Sequence, residues 1–133
     1  MTREEKKQLL LESIDAAQNP SRCIYAFDSG SLDSSGYAVR TEPCCVIGQL
    51  LYRLGMKDFT SLGGSVSSIL MGSIPLHTSI QVKARKLLQD FCAGDREMEL
   101  LLGFLQGRWD TAEPDEGEEA KAWMRLRVTS HFA

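Results

Sequence analysis

Apolar residues recur at helical spacing in five stretches of this chain, and most stretches carry their own start or stop signal. Thr2-Arg-Glu-Glu5 has the form of a capping box, with Thr2 as N-cap and Glu5 three positions on. Leu10, Leu11, Ile14 and Ala17 follow it, and Asn19-Pro20 ends that helix. A second helix is predicted over 42–54, with Thr41 as N-cap, Pro43 in the first turn and Gly55 as its left-handed stop. Cys44, Ile47, Leu51 and Leu54 form one stripe there, and Val46 and Leu50 widen it, so the helix is expected to be buried on most sides. Gly48 costs ~1 kcal/mol in such an interior, which close approach of a neighbouring element would explain.

Asp58 to Gly64 reads as a connector and Ser65 to Met71 as a short helix ending near Gly72. Pro75 and Thr78 set up a helix over 79–92, with Ile80, Ala84, Leu87, Leu88 and Phe91 on one face and Gly94 closing it. Asp95 caps the next, 96–109, where Met98, Leu101, Leu102, Leu105 and Trp109 make the cleanest amphipathic pattern. Asp110 to Glu119 holds six acidic residues with Pro114 and Gly117, and reads as an acidic loop whose last carboxylates suit a helix N-terminus. The final helix, 117–129, places Ala120, Trp123, Met124 and Val128 inward.

Between the first two helices the pattern changes. Cys23-Ile-Tyr-Ala-Phe27 is a short apolar run, Asp28 to Gly36 a Ser-, Gly- and Asp-rich loop, and Tyr37-Ala-Val-Arg40 a segment that can pair back as a small hairpin. The expected fold is mainly α: one helical domain over 1–133, a compact bundle of about five helices with an irregular or β-hairpin segment between the first two. Short connections between the last three helices favour antiparallel packing of neighbours.

Composition narrows the function classes. With 133 residues, 43% apolar and 25% charged, the chain can bury a core without staples. No apolar run approaches the ~20 residues of a membrane span, and the amphipathic N-terminus is unlike a signal peptide, so a cytoplasmic location is expected. Fifteen basic and eighteen acidic residues give a net charge of −3, which argues against a nucleic-acid binder without excluding a local basic face.

The four cysteines, Cys23, Cys44, Cys45 and Cys92, form no disulfide framework. Cys44 and Cys45 fall in the first turn of the predicted 42–54 helix, where unpaired N–H groups and the dipole favour a thiolate. With His77 as base and Asp90 to orient it, they define a candidate cysteine-dependent hydrolase or transferase; the competing reading is two small apolar groups in the core. Cys23, Cys44, Cys45 and His77 lack metal-ligand spacing, so no metal and no cofactor is expected.

Residues 65–88 can also be read as helix, turn, helix, with Lys83, Arg85 and Lys86 facing DNA. Gly63-Gly64-Ser65 is a weak anion nest. The surface favoured for a protein partner is the acidic segment with its flanking tryptophan: Trp109, Asp110, Glu113, Asp115 and Glu116.

The run Cys45-Val-Ile-Gly48-Gln-Leu50 resembles a helix of the Cys-Ala-Leu-Gly-Ala-Leu type found in a family of small bacterial and phage proteins of uncharacterised function. The aromatic segment before it, the loop with Asp33 and Gly36, and Trp109-Asp110 before an acidic stretch and last helix extend the likeness over about half the chain in patches. Cys44 is extra, and Asp110 stands where that pattern has Asn. The resemblance implies no catalytic residues. It implies an accessory, mobile-element protein, in keeping with the expectation of a small non-enzymatic binding or regulatory protein.

Overall fold

The side chain of Thr2 accepts the Glu5 N–H at 3.1 Å while the Glu5 carboxylate accepts the Thr2 N–H at 2.9 Å, so the first helix opens on the capping box its sequence spells. The computed structural model describes residues 1–20, 25–63, 65–71 and 78–133; Cys23, Gly64, Pro75 and His77 lie outside these. In chain order the described elements are α1 (Arg3–Ala16), β1 (Ala26–Leu32), β2 (Ala38–Pro43), α2 (Val46–Arg53), α3 (Val66–Met71), α4 (Ser79–Cys92), α5 (Arg96–Thr111), a single 3-10 turn (Pro114–Glu116) and α6 (Gly117–His131). The protein is mostly helical, with an antiparallel hairpin between α1 and α2 as expected, and the described residues form six helices where about five were expected. The sixth is the short α3, whose first turn is capped by the Ser65 hydroxyl at 3.1 Å from the Ser68 N–H.

The hairpin is longer than its apolar residues suggest. Asp28 to Leu32, expected as loop, continue β1. Beyond Ala26 the ribbon is largely exposed, so no alternation of apolar and polar residues marks it; backbone pairing alone makes these residues a strand. Only Asp33 to Gly36 remain as the turn. The Asp33 carboxylate accepts the Ser35 and Tyr37 N–H groups, each at 2.9 Å, and Gly36 takes φ +85°.

This strand pairing shifts the start of the central helix. Thr41 and Pro43 belong to β2, and α2 begins at Val46 with Cys45 as N-cap, its sulfur accepting the Gly48 N–H at 3.4 Å. A β-branched residue and a terminal proline suit the end of a strand as well as the start of a helix, so the capping reading of Thr41 gave way to pairing. The other end matches the expectation. Gly55 at φ +111° donates to Tyr52 at 3.1 Å and Met56 donates to Leu51 at 2.9 Å, the paired bonds of a Schellman stop.

Val46 to Leu51 are all buried, and α2 lies against α1, α4 and α5. Gln49, polar and buried, is satisfied there by the Ala16 and Pro43 carbonyls and by Arg53. Buried side chains from α1 to α6 and from the start of β1 join in one core cluster. The predicted stripe of α5 is buried throughout, whereas on α6 only Ala120, Met124 and Val128 face inward; Trp123 is 41% exposed, a correction to its inward assignment. The helix α3 is held by α4, where Arg85 donates to the Ile69 and Ser68 carbonyls and Gln89 to that of Leu70. These bonds satisfy carbonyls that a short helix leaves open at its end.

Candidate functional site

Cys44 loses the electrostatic basis for a thiolate once α2 starts at Val46. Cys44 precedes the helix, is fully buried, and donates its thiol to the Gln18 carbonyl at 3.4 Å. Burial pushes that thiol up to about 11, so it is protonated at neutral pH, the opposite of an activated nucleophile. Cys45 is fully buried as the N-cap of α2. Burial, with the negative charge of Glu99 and Asp95, raises Cys92 to about 12. Asp90, expected to orient a base, is exposed and paired with Lys86 at 3.3 Å, and His77 lies outside the described residues. Among the described residues no three His, Cys, Asp or Glu side chains converge as metal ligands.

The basic triplet on α4 is partly engaged within the protein. Arg85 caps α3 and Lys86 pairs with Asp90, which leaves Lys83 exposed on that helix. In the acidic segment Trp109 is buried, its indole N–H bound to the Gln18 carbonyl at 3.0 Å, so it presents no surface to a partner. Glu113 and Asp115 are exposed, and Glu116 turns back to accept the Glu113 N–H at 2.9 Å. Asp110 is not in a loop. Helix α5 runs through Thr111, and Asp110 lies on its last turn, beside a cavity.

That cavity, 420 Å³ and open to solvent on one side, is lined by Tyr25, Arg40, Leu62, Gly63 and Ser65 and by residues of α3 and α5. From α5 come Gly103, Gln106, Gly107 and Asp110, spaced i, i+3, i+4, i+7 and therefore on one stripe beside the apolar one. A Cβ at Gly107 would meet nothing within 4 Å, and one at Gly103 only the Ser67 hydroxyl at 3.8 Å. No packing demand keeps these positions bare, yet each glycine costs α5 ~1 kcal/mol against alanine. What the glycines leave is space.

Polar groups at one end of that space are set by the fold. Gln106 is buried. Its carboxamide oxygen accepts the Ile47 N–H at 3.2 Å, closing an open donor in the first turn of α2, and its nitrogen donates to the Asp110 carboxylate at 2.7 Å. Opposite, Arg40 is held on β2 through its backbone, which donates to the Thr60 hydroxyl at 3.2 Å and accepts from the Phe59 N–H at 2.8 Å. The Arg40 Nε is buried and has no hydrogen-bond partner. Leaving such a donor unmade costs on the order of 1–3 kcal/mol. Neither Arg40 nor Asp110 takes part in an ion pair among the described residues.

Two further hollows lie along α5. One of 240 Å³ shares Ser67 and Gly103 with the cavity and is walled by Leu70, Leu100 and Phe104 and by the Arg96–Glu99 ion pair. A third, 200 Å³, shares Leu100 and Phe104 and reaches Arg127 and His131 of α6. Together the hollows give α5 a flank with Arg40 and Asp110 toward one end and Leu100 and Phe104, both about half exposed, toward the other. Arg127 stacks at 4.8 Å over Phe104 and at 6.0 Å over Trp123.

Of these lining residues the sequence had marked Asp110 and, as part of an anion nest, Gly63 and Ser65. Arg40, Gln106, Gly103 and Gly107 went unmarked, although the two glycines four apart inside a strong helix, in line with Gln106 and Asp110, were a signal in plain view. No known protein family, no curated protein and no solved structure matches this chain.

Proposed function

We propose that this is a small non-catalytic binding protein that acts by seating an extended segment of a partner protein in the groove along α5. The observation that carries the reading is the pair Gly103 and Gly107, bare of side chains where neither backbone conformation nor packing requires it. From Leu100 to Asp110 the helix rises about 15 Å, the length of four to five residues of extended chain. An apolar end with half-exposed Leu100 and Phe104 and a polar end with Arg40 and Asp110 suit a peptide better than a compact, uniformly apolar ligand. Buried, protonated Cys44 and the occupied Arg85 and Lys86 speak for this reading over a thiol enzyme or a DNA binder.

Selection from two random-peptide libraries, one with the random segment fused at both ends and one with its C-terminus free, tests it. Enrichment of a consensus with apolar positions, lost when Gly107→Leu fills the groove and kept in Lys83→Ala, is the expected result. Failure to enrich, or a consensus that binds the Gly107→Leu protein equally well, would sink it. Circular dichroism of the variant separates a filled groove from a failed fold.

A further inference from the structure

We infer that the Arg40 end of the groove is a seat for the C-terminal carboxylate of the bound segment. The inference rests on the groove reading above and adds the direction and the end chemistry of its occupant. Arg40 lines the cavity, forms no ion pair among the described residues, and carries a planar guanidinium whose terminal nitrogens make a fork of donors. A carboxylate matches that fork with two parallel hydrogen bonds.

Asp110 narrows the choice of anion. One of its oxygens is taken by Gln106 at 2.7 Å, which fixes the carboxylate at the cavity wall and leaves the other oxygen as acceptor. A phosphate dianion placed on Arg40 would face this like charge. A chain terminus brings a single negative charge and, one residue back, an amide N–H that Asp110 accepts. Gly103 and Gly107 then give the backbone of the segment room to lie against α5, and a side chain three residues before the terminus reaches Leu70, Leu100 and Phe104. Opposite charges lining one cavity, neither in an ion pair among the described residues, are thus complementary to one end of a peptide.

The probe is an N-acetylated Leu-Ala-Ala-Ala tetrapeptide with a free C-terminus, titrated into the full chain and followed by backbone amide shifts. Saturable shifts at Arg40, Gly103 and Gly107 are expected, with the C-terminal amide analogue binding at least tenfold more weakly. Arg40→Gln, which removes the charge and leaves the Arg40 backbone bonds to Thr60 and Phe59 in place, brings the acid down to the affinity of the amide. Asp110→Asn weakens the acid severalfold while Gln106 keeps its partner. Equal binding of acid and amide overturns the inference, as does acid binding indifferent to Arg40→Gln. Inorganic phosphate or N-acetylalanine binding as tightly as the tetrapeptide overturns the assignment to a chain terminus. Peptides enriched from the doubly fused library with no preference for the free acid would leave the groove standing and remove only this seat.

Discussion

The α-carbon of Gly48 lies directly beneath the carbonyl of Tyr25, so that a Cβ there would stand 2.8 Å from the Tyr25 carbonyl carbon and closer still to its oxygen. The same carbonyl accepts the Cys44 N–H at 2.9 Å, which ties the entry of the hairpin to the entry of α2. Alanine at this position has nowhere to go, because its neighbour is backbone. Gly48→Ala is expected to destabilise the protein by about 3 kcal/mol despite alanine's higher helix propensity, since steric overlap outweighs the ~1 kcal/mol gain. Urea denaturation of the variant checks the sign; a neutral or stabilising result would show that α2 can slide away from Tyr25.

Gly107→Ala is expected to behave the other way. The new methyl meets nothing within 4 Å and the helix gains propensity, so stability rises by ~0.5–1 kcal/mol. Two interior glycines of opposite sign separate a packing glycine from one that holds space. A loss of stability in Gly107→Ala by thermal melting would contradict the open groove.

Gln106→Leu removes the partner of the Ile47 N–H and releases Asp110. Leucine fills similar volume, so the cost comes from the stranded donor, about 1–3 kcal/mol. Hydrogen exchange at Ile47 is the specific readout, and it accelerates relative to the amides of α6.

The thiols set the alkaline limit. Cys44 titrates at about 11 when folded, against 9.0 for an ordinary thiol, so below pH 9 both states keep the proton and stability is intact. As pH rises from 9 toward 11 the unfolded chain releases a proton that the folded state retains. Stability therefore falls, by on the order of 2–3 kcal/mol for this group, and the raised Cys92 adds to the loss. Denaturant melts at pH 8 and pH 10.5 measure it, and Cys44→Ala reduces the difference. At pH 7.5 iodoacetamide is expected to alkylate Cys44 only as fast as the chain unfolds.

Local signals carried much of this fold. Thr2 with Glu5, Thr78 and Asp95 each cap the helix their position foretold, because capping is settled within three or four residues. Gly55 stops α2 for the same reason. The apolar stripe of α5 was legible because burial along a helix repeats at its own period.

What tertiary structure decided were the places where two local readings compete or where distant segments meet. Thr41 and Pro43 could open a helix or end a strand, and only the pairing of 38–43 with 26–32 chose the strand. That choice moved Cys44 out of the helix and into a buried, protonated state. The groove joins Arg40, Ser67 and Asp110, far apart in sequence, with geometry set by β2, α3 and α5 packing on a shared core. Sequence alone determined where most helices begin and end and which faces they bury, since those are short-range energies. The empty stripe of α5 and the unsatisfied Arg40 exist only once the chain has folded, because space and desolvation are properties of the packed whole.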